Sequence, residues 1–252
     1  MYRRFTLLII CVVLVVSAAA YAEAESAAGS ISTKLDVAYV SKYVWRGLVP
    51  NPDPSLQPSL TFAHSSGVSL NVWGSADLTD VNDEQNNVTE IDYTLDYATQ
   101  LGGRRLNTGM IHYTFPNTSF DSTSEGYAAL CFDGKVSTSI SANYDFDEAH
   151  GCYASVTAGY ACTTPWQKGP EPGMNFSARV SYATSGYNQF YFGTDKAAFT
   201  DLLISASVPL KLASKISVTP SVSYSMVLDS ALRDAVKAPD NFWVGLTASM
   251  SL

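Results

Sequence analysis

Residues 136–146 alternate without a break. Val136, Thr138, Ile140, Ala142, Tyr144 and Phe146 share one face, and Ser137, Ser139, Ser141, Asn143 and Asp145 share the other. Successive side chains of a strand point to opposite faces, so a period of two identifies a strand. The same pattern returns in 216–226, where Ile216, Val218, Pro220, Val222, Tyr224 and Met226 oppose five residues that are all Ser or Thr. In 242–252, Phe242, Val244, Leu246, Ala248, Met250 and Leu252 oppose Gly245, Thr247, Ser249 and Ser251. In 89–100, Ile91, Tyr93, Leu95 and Tyr97 oppose Glu90, Asp92, Thr94 and Asp96. Weaker versions occupy 32–45, 55–64, 68–77, 106–115, 125–132, 152–162, 175–184 and 199–209. Twelve strands are predicted. Only 228–237 has a helical period, with Asp229 or Ser230 placed as N-cap.

Two all-β architectures alternate in this way. A soluble sandwich carries Lys, Glu and Arg on its outward face. Here the polar face is mostly Ser, Thr, Asn and Gly, and charged residues are only 15% of the chain, against a usual quarter. A membrane barrel turns its apolar face to lipid and its small polar side chains to a lumen. Segments of about ten residues also match a tilted crossing of the hydrocarbon layer. The expected fold is therefore a single antiparallel up-and-down transmembrane β-barrel of about twelve strands over 32–252.

The first 22 residues read as a signal peptide: Arg3 and Arg4, then an apolar run from Phe5 to Val16, then Ala20-Tyr21-Ala22 as the cleavage site. Residues 23–31 form a short N-terminal segment. Without the leader, 13 basic residues face 23 acidic ones, a charge of −10. Nucleic acid is an unsuitable partner for such a chain. Cys131, Cys152 and Cys162 remain. Along one strand Cys152 and Cys162 stand roughly 33 Å apart, too far for a disulfide. Three free thiols are expected, with no metal site and no cofactor.

The connections and the aromatic residues fit a barrel with both termini in the periplasm. Short turns fall at 64–67, 101–105, 133–134, 163–173 and 210–214, and longer outer loops at 47–54, 78–88, 116–124, 147–151, 185–198 and 227–241. Nine of these eleven obey the rule of short periplasmic turns and long outer loops; 163–173 is too long and 147–151 too short. Tyr43, Trp45, Tyr113, Phe115, Tyr144, Phe146, Tyr182, Phe199, Tyr224 and Phe242 are expected in an outer lipid-facing belt. Phe62, Tyr97, Phe132, Tyr160 and Phe176 are expected in a periplasmic one. The last strand ends on Leu252, an apolar terminal residue of the kind read by the barrel-assembly machinery.

Ser41-Lys42-Tyr43-Val44-Trp45-Arg46-Gly47 resembles the opening strand of the TorF-type porin family of Gram-negative bacteria, in which a Tyr, two residues and Arg-Gly come after an early strand. Tyr191-Phe192-Gly193 and Asn241-Phe242-Trp243 are similar to later segments of that family. The resemblance implies an outer-membrane barrel with a pore-like role, surrounded by outer-membrane lipid and lipopolysaccharide.

Twelve strands tilted about 40° give a backbone diameter of roughly 24 Å and, after side chains, a lumen of roughly 12 Å. Such a pore passes small hydrophilic solutes. Its expected lining includes Lys34, Asp36, Lys42, Asp77, Glu90, Asp92, Asp96, Asp145 and Arg179. Acids outnumber bases, which predicts a weak cation preference led by Glu90, Asp92 and Asp96. The loops 185–198 and 227–241 are long enough to fold inward. The main alternative is a lipid-modifying hydrolase, for which His64-Ser65-Ser66 is the one close His/Ser group in sequence, although it is expected in a periplasmic turn. A further alternative is a barrel that transports nothing and acts as adhesin or scaffold. A channel, and not an enzyme, is the expected function.

Overall fold

Each of the twelve alternating segments forms a strand of one closed wall. The fold is described from a computed structural model covering residues 30–82, 84–163 and 173–252. The expected signal peptide and nearly all of connection 163–173 lie outside the described residues. The wall consists of β1 (Ile31–Val40), β4 (Ser55–His64), β5 (Val68–Asp77), β6 (Val88–Leu101), β7 (Arg104–Thr114) and β8 (Thr123–Phe132). It continues through β9 (Val136–Asp145), β10 (Gly151–Cys162), β11 (Met174–Ala183), β12 (Ala198–Ser207), β14 (Ile216–Val227) and β15 (Asp240–Ser251). Neighbours are antiparallel throughout, and β1 pairs with both β4 and β15, which closes the ring. No strand edge is left along the wall, so backbone N–H and C=O groups are satisfied around the circumference. Both described ends of the chain lie at one end of the barrel, here the terminal end; the other is the distal end.

The wall differs from the expected twelve strands at two places. After Ser207 the strand is interrupted at Val208-Pro209, where Pro209 has no N–H for a ladder. It resumes as β13 (Leu210–Ala213), which pairs again with β14. The turn expected at 210–214 is thus narrowed to 214–215. The first strand, expected to run to residue 45, stops at Val40. There the chain leaves the wall and turns inward.

The alternation is turned apolar side out. Ile140, Val222 and Leu246 are 52%, 45% and 47% exposed, while Ser139 and Ser221 on the opposite face are half-buried. Tyr144, Tyr182, Phe199, Tyr224 and Phe242 are exposed near the distal end, and Tyr97, Tyr160 and Phe176 near the terminal end. A wall exposing aliphatic residues between two aromatic girdles is what a lipid layer requires. Three aromatics depart from the expected outer belt. Tyr43, Trp45 and Tyr113 point inward, and Tyr43 and Tyr113 are buried.

The apolar core sits inside the distal mouth, not between two sheets. It comprises Tyr153, Ala183, Tyr187, Phe192, Ala198, Val227 and Leu232, with Trp45, Leu48, Tyr191 and Val236 packed against it. The wall supplies only the distal ends of its strands to this cluster. The remainder comes from inward-folded connections.

Candidate functional site

Beyond Val40 the chain bends at Ser41-Lys42 and enters the barrel as a hairpin of β2 (Tyr43–Trp45) and β3 (Leu48–Asn51). The expected outer loop 47–54 is mostly this hairpin. Its two-residue turn is Arg46-Gly47, with φ of +49° and +84°, the left-handed pair that a tight hairpin needs. At Gly47 a Cβ would stand 3.1 Å from the Asp201 Cβ and 3.3 Å from Val227. The turn is therefore wedged against β12 and β14. On its other flank Tyr43 packs at a tilt against Trp73 of β5, with ring centroids 5.6 Å apart. Trp45 meets Tyr113 of β7 edge-on. One short hairpin thus touches walls on both sides of the lumen.

Arg46 fixes it there. Its two terminal nitrogens donate to the two carboxylate oxygens of Glu125 on β8, both at 2.7 Å. Planar bidentate pairing of this kind is the strongest form of ion pair. Arg46 is 9% exposed and Glu125 is fully buried, so each charge depends on the other. The guanidinium also lies 4.5 Å from the Trp45 ring centroid and 4.4 Å from that of Tyr153, positions that favour a cation over a π face. Glu125 further accepts from Tyr113 and Asn143. On the same side Asp201 accepts from Tyr153 at 2.8 Å and Arg179 at 3.3 Å.

Two helices complete the filling of the mouth. The segment expected as plain loop, 185–198, contains α1 (Ser185–Phe192), ended by Gly193 in the left-handed conformation. Its backbone presses on β10 so closely that a Cβ at Gly151 would lie 2.2 Å from the Tyr187 nitrogen. Arg46 donates to the Tyr187 hydroxyl at 3.3 Å, joining helix and hairpin. The helix expected within 228–237 is α2 (Ser230–Ala235), with Asp229 as N-cap accepting from the Ala231 N–H. Leu232 buries fully in the apolar cluster. Lys196 donates to Asp229 at 2.6 Å, tying the end of the first loop to the second. That bond holds the Asp229 carboxyl below the usual range.

The residues expected to line a pore are distributed unevenly. Lys34 pairs with Asp36 at 2.8 Å near the terminal end. Lys42 donates to Asn241 at 2.9 Å beside the hairpin. Asp96 accepts from Tyr127, and Arg179 is paired with Asp201. Asp77 and Asp145 are fully buried and hold loops instead of meeting open lumen. Asp77 accepts from Asn82 and Thr89. Asp145 accepts from Thr123 and from the N–H groups of Asp147, Glu148 and Ala149, which explains how so short a distal connection is stable. Glu90 and Asp92 share the inner face of β6. Glu90 is hydrogen-bonded by Tyr43, and Asp92 keeps one buried oxygen without a partner. Among the described residues, neither is ion-paired to a Lys or Arg. Arg46, Glu125 and Asp201, which organise the mouth, were absent from the expected lining.

The histidines form two contacts with serines. His64 Nδ1 lies 2.8 Å from Ser66 Oγ and accepts from the Ser66 N–H at 3.2 Å, closing the exposed turn after β4. His112 Nδ1 lies 3.0 Å from Ser124 Oγ on the outer surface of β7 and β8. Cys131, Cys152 and Cys162 are free.

Solved porins share this architecture. The KdgM porin superposes with a TM-score of 0.54 at 9% identity, covering 87% of this chain and 99% of that one. The NanC porin gives 0.54 at 12% identity, covering 86% and 100%. A second KdgM structure, in complex with disordered oligogalacturonate, gives 0.53 at 8% identity, covering 88% and 99%. At such identities the likeness is one of fold. Among curated proteins none matches the sequence. The model of a family described as bacterial protein of unknown function, Gcw_chp, matches residues 23–224, most of the chain, and the protein therefore belongs to the Gcw_chp family.

Proposed function

We propose that this protein is a channel of the bacterial outer membrane, passing small hydrophilic solutes by diffusion and weakly preferring cations. The observation that carries the reading is the inverted alternation around all twelve wall strands. Most aliphatic side chains face outward and most hydroxyl, amide and charged side chains face inward. Only surrounding lipid makes that arrangement favourable, and only enclosed water makes a polar interior useful. The TorF-type resemblance of the segment from Ser41 to Gly47 supports the same reading. So does the porin fold, which in one solved case, the KdgM porin, is in complex with disordered oligogalacturonate. The cation preference rests on Glu90 and Asp92, neither of which is ion-paired to a Lys or Arg among the described residues.

The lumen is narrowed by the hairpin and the two helices, so the cut-off in solute size should be low. Proteoliposome swelling with a graded set of sugars and amino acids tests passage. The reversal potential across a planar bilayer under a KCl gradient tests selectivity. Swelling by monosaccharide-sized solutes, with a potential favouring K+, is expected. No swelling with any solute would defeat the channel, and preference for chloride would defeat the cation reading.

A further inference from the structure

The hairpin divides the distal mouth into two unlike sides. Towards β8, β10, β11, β12 and β14 it is sealed. Arg46 is bonded to Glu125, Arg179 to Asp201, and the aromatic and aliphatic cluster fills what is left. Water-filled passage there would require taking apart an apolar core. Towards β4, β5 and β6 the lining has another character. Trp73 and Tyr43 are in ring contact on this side. Beside them lie the two carboxylates of β6, which have no ion-pair partner among the described residues. Ser75 is opposite Glu90 in the strand register and is 1% exposed, yet its hydroxyl has no hydrogen-bond partner among the described residues. Gln57 lies between Leu56, opposite Ala76, and Ser59, opposite Trp73. That position sets it across from Ser75, and its Nε2 is likewise buried and unpartnered. Burying such groups unpaired is unfavourable, and a line of water or a bound solute would relieve it.

We infer that solutes cross the mouth along this seam, between the Tyr43 flank of the hairpin and the inner wall of β4–β6, and that Glu90 and Asp92 make it a binding subsite for small cations, including primary ammonium groups. The inference rests on the channel reading above and gives its cation preference an address. Two carboxylates two residues apart on one strand face attract a positive charge in a region of low dielectric. Trp73 and Tyr43 offer π faces to an organic ammonium group. Gln57 and Ser75 supply a donor and an acceptor for the hydration shell or for a hydroxyl on the solute. Asp36 carries the same charge but is matched by Lys34, so it contributes little to selectivity.

Two measurements on the full-length protein decide the matter. In the first, Glu90→Gln/Asp92→Asn is compared with Asp133→Asn, in the exposed turn after β8, by reversal potential in a KCl gradient. The double variant should lose cation preference several-fold, and Asp133→Asn should behave as wild type. A conducting double variant with unchanged selectivity overturns the assignment while leaving the channel standing. The second does not depend on conduction. With Cys131, Cys152 and Cys162 replaced by Ser, single cysteines at Ser75→Cys and Ala183→Cys are exposed to a trimethylammonium methanethiosulfonate reagent, and the added mass is measured. The seam requires modification at position 75 and none at 183, which lies in the sealed cluster. Absence of modification at 75 overturns the inference even if the protein conducts. Modification at 75 in a protein that conducts nothing supports a hydrated seam and defeats the channel reading instead.

Discussion

Arg46 and Glu125 meet where neither charge reaches water, and that burial dictates what separating them would do. The attraction between them is largely offset by the cost of taking both out of water, so the intact pair adds little net stability. Removing one partner leaves the other buried and unmatched, which costs about 3–5 kcal/mol. Arg46→Met should therefore shift the denaturant midpoint in lipid vesicles strongly downward. Arg46→Met/Glu125→Leu should recover most of the loss, a coupling read directly from the double-mutant cycle. If the single and double variants are equally destabilised, the pair is not the latch described here. Little of this was legible from residues alone. Arg46 stands out in sequence only through its neighbours Tyr43 and Gly47, and Glu125 lies 79 positions away. No local pattern links the two. The acids of β6 were legible, because period two assigns Glu90 and Asp92 to the polar face without any knowledge of what lies across the lumen.

Elements differ in how far their own sequences specify them. The wall strands are specified well, since each one buries backbone in its neighbours and sorts its side chains by a period of two. α2 was also visible, because Asp229 is a favourable N-cap and Leu232 supplies the apolar contact. α1 was not. Its sequence, SGYNQFYF, opens on Ser-Gly, and its buried residues Tyr187, Asn188 and Phe192 include an amide, so the i, i+4 spacing of Asn188 and Phe192 does not read as an apolar stripe. The helix exists because Gly151 admits its backbone and Arg46 bonds to Tyr187, both of which are tertiary circumstances. The hairpin was read as the end of a strand and an outer loop for a similar reason. Its alternating aromatics suit a lipid belt as well as a packed lumen, and only the partners of Arg46 distinguish the two. The Lys196–Asp229 tether between the two loops gives a pH prediction. The Asp229 carboxyl is lowered in the fold, so its contribution is present above the ordinary aspartate value of about 3.9 and is lost as pH falls through the lower folded value. Amide exchange at Ala231 and Leu232 should stay slow from neutral pH down to about 4 and should lose protection only below it, after correction for intrinsic rates. The pair is exposed, so the effect should be small and confined to α2. Protection lost already at pH 6 would contradict it.

For the whole molecule the decisive quantity is which face of the wall meets lipid. Ile140→Arg should cost about 2–4 kcal/mol if it lies near the midplane of the bilayer, whereas Ser139→Arg, pointing into the interior, should cost much less. Guanidinium titration of barrels folded into phosphatidylcholine vesicles measures both. Equal and small costs would mean that the exposed apolar face does not contact acyl chains, and the membrane reading would fail. The sequence by itself determined the wall: the number of long strands, their order as successive neighbours, and the sorting of apolar from polar residues. These depend on side-chain direction along one strand and on short connections between adjacent ones, both local. The tertiary structure alone decided what fills the mouth. The hairpin crosses the lumen, α1 leans on β10, and charges from β8 and β12 pair with groups far along the chain. Each of those contacts joins residues that no period relates, and each is favourable only because the closed ring removes the water that would otherwise satisfy them.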